Sequence, residues 1–206
     1  MMGARQRRER EREELQRRIL AAARAIASEE GWQAVTTRKV AERVEYSQPT
    51  IYEYFANKEA MLLALQREGY AQLVAAVQAA YDSTGDPEAR LLAMSEAYWD
   101  FAFSNAELYQ VMHGLAGAST GWRAEPPDEV KASFTLARDA VAQWAAAEGL
   151  EPPHIRDLVE ARRGLLHGLI TLAMASRIPG GPDHAKHIML ATMRDLLFAW
   201  KHRPQR

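Results

Sequence analysis

Between residues 36 and 60 the chain concentrates side chains suited to a flat, patterned, negatively charged partner. The run TTRKVAERVEYSQPTIYEYFANKEA places Gln48, Thr50, Tyr52 and Tyr54 close together, with Thr37, Arg38 and Ser47 before them and Lys58 after. A glutamine amide can pair bidentately with adenine, and a proline ring or threonine methyl can touch a thymine methyl, which gives Gln48, Pro49 and Thr50 the chemistry of base readers. Tyrosine hydroxyls and a lysine ammonium suit phosphate oxygens.

Such side chains act together only if helices present them. Thr36 or Thr37 can cap a short helix whose inner face is Val40, Ala41 and Val44. A turn follows at Glu45 and Tyr46. Ser47 then caps a second short helix, with Pro49 in its first turn, where a missing N–H costs nothing. Ile51 and Phe55 lie four apart and face inward, leaving Gln48, Thr50, Tyr52 and Tyr54 outward. Two short helices joined by a tight turn are a helix-turn-helix, whose second helix enters a DNA major groove.

Other chemistry finds less material. His184 and His187 lie three apart beside Asp183, but no third ligand stands at a diagnostic spacing, so solvated histidines are expected and no metal is assigned. His113 and His167 are candidates for pocket polarity. The chain carries no phosphate-cradling glycine loop, paired-carboxylate signature or nucleophile elbow, so neither an enzyme nor a cofactor is expected. The 206 residues are 48% hydrophobic and 26% charged, with no cysteine. That is an ordinary globular balance, suited to a reducing cytoplasm. The charged N-terminus is not a signal peptide, and no apolar run reaches the ~20 residues that span a bilayer. Residues 1–60 hold 12 basic and 10 acidic groups, a net of +2 against −1 for the whole chain. The sign suits a DNA-facing end, but the motif carries the inference.

The rest of the chain frames the motif. Residues 4–14, ARQRREREREE, form a charged arm whose Arg5, Arg7, Arg8 and Arg10 could reach DNA, opposed by interleaved glutamates. From Leu15 a helix pattern runs to a glycine stop at Gly31. Asn57 caps a long fourth helix that ends near Tyr81. Asp86-Pro87-Glu88 restarts another, and an aromatic stripe follows over residues 91–113. Residues 115–127 form a connection with Trp122 and Arg123 at its middle. A seventh helix spans about Asp128 to Glu148, an eighth His154 to Arg177, and a ninth Asp183 to His202. The eighth is apolar nearly all round from Leu165, which requires burial on two sides.

The run from Arg17 to Leu65 resembles the DNA-binding domain of the tetracycline-repressor (TetR) family, through GWQAVTTRKVA, SQPTIYEYF and NKEAML. The resemblance implies an all-α chain of about nine helices. It comprises an N-terminal three-helix DNA-binding domain, residues 1–60, and a larger ligand-binding and dimerisation domain, residues 61–206. Carried onto this chain, Thr37 and Arg38 contact phosphate, with Arg38 within reach of a base, and Gln48, Pro49 and Thr50 face base edges behind the capping Ser47, which is also counted among the DNA-binding residues. Tyr52, Tyr54 and Lys58 hold phosphates. Ligand binding in the family shifts the fourth helix and the spacing of the two reading heads. FAFSNAELYQVMH and LLHGLITLAMA resemble the C-terminal domain of one subgroup, which has Trp-His-Gly where this chain has Leu166-His167-Gly168. Glu45 stands where the family's turn carries glycine, and Tyr54 where histidine is common.

These readings converge on a sequence-specific transcriptional regulator, a repressor that leaves a palindromic operator when a small apolar or amphipathic ligand binds. Trp99, Phe103, Met112, His113, Trp122, Phe134, His167 and Thr171 are the candidate ligand residues. Leu165, Leu169, Leu172, Ile188, Leu196 and Trp200 are the candidate interface of a homodimer through the last two helices. The alternative is a helical small-molecule-binding protein whose head no longer reads sequence, for which Glu45 speaks. A non-specific architectural DNA binder fits poorly with the net charge.

Overall fold

In the computed structural model the described residues are 3–115, 125–150 and 153–202, and every regular element among them is helical. The helices are α1 (Ala4–Glu30), α2 (Thr37–Val44), α3 (Gln48–Tyr54), α4 (Lys58–Asp82), α5 (Pro87–Ser104), α6 (Ala106–Met112), α7 (Asp128–Ala147), α8 (Pro153–Met174) and α9 (Gly181–Lys201), with a 3-10 turn at Trp32–Ala34. None of them is long and apolar enough to cross a membrane. The chain divides into two compact units, Met1–Gly69 with Ala106–Glu125, and Tyr70–Asn105 with Pro126–Arg206. The division falls inside α4, nine residues beyond the 60/61 boundary expected from the sequence, and α6 belongs to the first unit.

In the first unit, α1 packs on α2, on the 3-10 turn and on α6, while α2 packs on α3. The charged arm is the first part of α1, which is one helix from Ala4 and, at ~1.5 Å per residue, ~40 Å long. Its apolar row, Leu15, Ile19, Ala22, Ala23, Ile26 and Ala27, is buried as the spacing requires. Gly31 stops the helix at φ 85°. Val40, Ala41, Val44, Ile51 and Phe55 complete the core beneath the motif. Ile51 is wholly inaccessible, and burying such a side chain contributes about 1.5–3 kcal/mol. Arg24 on α1 reaches Glu107 of α6 at 2.6 Å and Glu68 of α4 at 3.3 Å, so a half-buried charge cluster pins three elements.

The second unit packs α5 against α7, α8 and α9, and α8 against α7 and α9. Asp86 caps α5 by accepting from Ala89 N–H at 2.7 Å, with Pro87 at the first position, as the sequence implies. Leu91, Met94, Trp99, Val141, Trp144, Ile170, Met189 and Met193 form the centre of its core. Helix α8 ends at Met174, three residues before the expected Arg177. Ser176 adopts a left-handed conformation at φ 55°, and Arg177 N–H turns back to Leu172 O at 2.9 Å. No glycine marks that stop, so periodicity alone overran it.

Candidate nucleic-acid interface

Local capping builds the interface. Thr36 Oγ1 accepts from Lys39 N–H at 3.1 Å and starts α2. Ser47 Oγ accepts from Thr50 N–H at 3.3 Å and starts α3, and it also bonds Thr50 Oγ1 at 2.8 Å. Between the helices Glu45 takes φ 61°, ψ 39°, so a glutamate adopts the left-handed geometry that glycine would hold without strain. Tyr46 N–H closes the turn on Ala41 O at 3.0 Å. The glycine-lacking turn is therefore a complete helix-turn-helix turn.

The outward face of α3 is tied to α2 through polar side chains. Gln48 Nε2 donates to Thr37 Oγ1 at 3.2 Å and to Tyr52 Oη at 3.1 Å, and the two hydroxyls lie 3.3 Å apart. Those contacts hold the Tyr52 phenol below its ordinary pKa, Thr37 acting most strongly and Gln48 next. Tyr52 remains 48% exposed. Thr37, Gln48 and Tyr52 thus sit together, with exposed Pro49 and half-buried Thr50 beside them. Arg38 is exposed and pairs with Glu42 at 3.0 Å, an i,i+4 contact that bulk phosphate can displace. Lys39 and Arg43 are held by Glu30 and Glu29 of α1, whereas Arg38 pairs only within its own helix and is the most exposed of the three cations.

Lys58, the first residue of α4, is half-buried and donates from Nζ to Trp32 O at 2.6 Å. Burial lowers its pKa. That bond uses one of the three ammonium N–H donors. Asn57 Oδ1 accepts from Ala60 N–H at 2.8 Å, the cap expected there.

Two arginines absent from the sequence reading, Arg12 and Arg18, join the site. Arg12 of α1 places its Cζ 5.6 Å from the Tyr54 ring centre, and Arg18 stands 5.7 Å from the Tyr46 ring while donating to Val44 O at 3.3 Å. Arg8, Arg12, Tyr46 and Tyr54 line one surface cleft. Helical phase brings Arg8 and Arg12 to one face of α1, four residues apart, and that spacing was the available signal.

The candidate ligand residues separate. Met112 and His113 belong to the first unit, where His113 packs on the Tyr109 ring at 4.4 Å and Met112 O accepts from Gln66 Nε2 at 3.2 Å. In the second unit buried Trp99 stacks on Phe103 at 4.8 Å. Phe134 lies 5.7 Å from Arg163 Cζ, and burial, with Arg163 as a second cause, lowers the His167 pKa. Thr171 Oγ1 donates within its own helix, to His167 O at 2.8 Å and Gly168 O at 3.0 Å. Trp122 lies outside the described residues.

Of the candidate dimer residues, Leu165, Leu169, Ile188, Leu196 and Trp200 are half-buried and Leu172 is 43% exposed. A Cβ placed on Gly164 or Gly168 would meet nothing within 4 Å. Among the described residues no three His, Asp or Glu side chains lie together as a metal site would require.

Residues 19–65 match the family described as bacterial regulatory proteins, tetR family, and residues 91–196 match a tetracyclin repressor-like C-terminal domain. The HTH-type transcriptional activator FasR of Mycolicibacterium smegmatis is 30% identical over 101 residues, 49% of this chain and 46% of that protein. The HTH-type transcriptional repressor KstR of the same organism is 37% identical over 78 residues, 38% of each. The matched stretch thus spans less than half the length of either relative. A protein of unknown function from Rhodococcus sp. RHA1 superposes with a TM-score of 0.75 at 25% identity, covering 91% of this chain and 96% of its own. The regulator FadR from Bacillus subtilis, solved in complex with stearoyl-CoA, shares the fold with a TM-score of 0.66 at 16% identity, covering 91% of this chain and 98% of its own. With its helix-turn-helix geometry, its nine helices among the described residues and both family matches, the chain belongs to the TetR family of regulators.

Proposed function

We propose that this protein is a sequence-specific DNA-binding transcriptional regulator, a cytoplasmic homodimer that represses from a palindromic operator and leaves it when a small apolar or amphipathic effector binds. The observation that carries the proposal is the complete α2–turn–α3 unit, with Thr37, Gln48 and Tyr52 hydrogen-bonded together and Pro49 and Thr50 presented beside them. Gln48, Pro49 and Thr50 read base edges, Ser47 sets the start of the reading helix, and Thr37, Arg38, Tyr52, Tyr54 and Lys58 hold phosphates.

Residues 1–60 form the reading head and residues 61–206 sense and dimerise. The effector is held in the second unit, among Trp99, Phe103, Phe134, His167 and Thr171. The partly exposed leucines of α8 and side chains of α9 support a second copy as their cover. Two heads about one DNA turn apart (~34 Å) then require a palindrome.

The rival, a small-molecule binder with a head that no longer reads DNA, leaned on the missing glycine at 45. Glu45 adopts the required conformation, so that support is gone. The relatives named an activator and a repressor leave either sign of regulation open to test. Random-site selection with the purified chain should enrich a palindrome, and a reporter under that site should rise when the gene is removed. An intact dimer that enriches no sequence would overturn the proposal.

A further inference from the structure

Residues 158, 162, 166 and 170 form one row of α8 at four-residue spacing. Three are Leu158, Leu166 and Ile170, all buried; the fourth is Arg162, 6% exposed. A guanidinium brings five N–H donors and no acceptor. Arg162 Nε donates to Ser95 Oγ at 3.2 Å, and Ser95 Oγ commits its own hydrogen to Leu91 O at 2.6 Å. Among the described residues no other hydrogen bond and no ion pair reaches the Arg162 guanidinium. Three acidic residues near it, Glu160 on α8 and Glu96 and Asp100 on α5, are engaged elsewhere. Glu160 holds Arg163 at 2.5 Å, while Glu96 and Asp100 both hold Lys186 at 2.9 and 2.8 Å.

We infer that Arg162 anchors the carboxylate of an amphipathic monoanion bound in the second unit, the ligand's apolar part lying along α8. This inference rests on the effector-sensing role proposed above. A buried charge left without a partner is costly, and a ligand carboxylate supplies what the fold omits. The Nε side is occupied by Ser95, so the two Nη groups present a planar pair of donors, the geometry that a carboxylate matches bidentately. One positive charge balances one negative charge. The neighbouring cation Arg163 is exposed, stands over Phe134 and is already paired with Glu160, so among the described residues it does not add a second free charge for a dianionic phosphate. Burial lowers the Arg162 pKa to about 10 against the opposing influence of Tyr98, so the group stays charged at neutral pH.

The test uses the purified full chain in thermal-shift and calorimetric titrations. The probes are decanoate, 4-phenylbutanoate and cholanoate, each beside its uncharged primary amide. At least one carboxylate should raise the melting temperature, and its amide should not. Arg162→Met, checked for unchanged helicity by circular dichroism, should bind that carboxylate roughly 10–100-fold more weakly. Arg162→Lys keeps the charge without the fork and should be weakened less. Should Arg162→Met fail to fold, the lysine variant decides, and affinity equal to that of the parent chain counts against the anchor. Equal binding of acid and amide, or no shift with any carboxylate, also overturns it. Effector sensing itself falls only if neutral, cationic and anionic compounds alike leave both stability and operator binding unchanged.

Discussion

Lys58 Nζ donates to Trp32 O at 2.6 Å, tying the first residue of α4 to the turn that precedes α2. One cation therefore serves the fold and, in the proposed complex, a phosphate. Lys58→Met should cost about 1–2 kcal/mol of stability, the range for a charged hydrogen bond reduced by partial exposure. It should also weaken binding to every DNA sequence alike and reduce the salt slope by about 1. Urea denaturation and titrations at several salt concentrations check both, and an unchanged urea midpoint would remove the structural half of the claim.

Glu45→Gly should stabilise the protein by about 0.5–1 kcal/mol, because glycine relieves the strain of φ 61° while adding freedom to the unfolded chain. Glu45→Val should destabilise it. Operator preference should survive the glycine change, since no base-reading side chain is touched. Loss of sequence preference in the glycine variant would show that the turn does more than connect.

Thr37→Val keeps shape and removes the hydroxyl shared by Gln48 and Tyr52. Specific DNA affinity should fall by about tenfold, near one hydrogen bond to the backbone plus looser alignment of α3. The Tyr52 phenol should titrate higher once Thr37 no longer lowers it, visible in an ultraviolet tyrosinate titration. A Tyr52 titration unmoved by the substitution would mean that the cluster does not persist in solution.

Leu172→Asp places a charge on an exposed apolar position of α8 and should convert the proposed dimer to monomer without unfolding it. Sedimentation velocity reads the outcome. Monomeric protein should lose operator affinity far more than a phosphate-contact variant does, because two linked heads act together. A dimer that survives the substitution places the interface elsewhere.

His167 titrates below its ordinary value because burial and then Arg163 disfavour its charged form. The folded state therefore binds fewer protons than the unfolded state, and the stability that this group contributes is present above pH 6.5 and lost as the pH falls through the lowered value. The urea midpoint should drop on acidification in that window, and His167→Gln should flatten the drop. An identical pH profile for the variant would assign the effect to other groups.

What the sequence made legible was local. The caps at Thr36, Ser47, Asn57 and Asp86 and the stop at Gly31 each depend on neighbours a few residues away, and each is found in place. The inward row of α1 followed from spacing alone. What escaped was contact across the chain. Lys58 reaches a carbonyl 26 residues away, and Arg12 meets Tyr54 through the phase of a helix whose start read as a solvated arm. Arg162 was hidden by its type, because an arginine within an apolar pattern is normally assigned to the surface. The early end of α8 depends on a serine in a conformation that serine seldom takes.

The two bonds of Gln48 Nε2 also bear on how DNA would be discriminated. Its amide hydrogens are already engaged by Thr37 and Tyr52, so donating to adenine N7 is an exchange of partners, and the gain is confined to the one bond that its Oε1 accepts from N6–H. A mismatched base that draws the side chain outward forfeits the Thr37 and Tyr52 bonds without return. Gln48 would then add little to tightness and much to rejection, and its replacement should broaden the set of tolerated operators more than it lowers affinity for the best one.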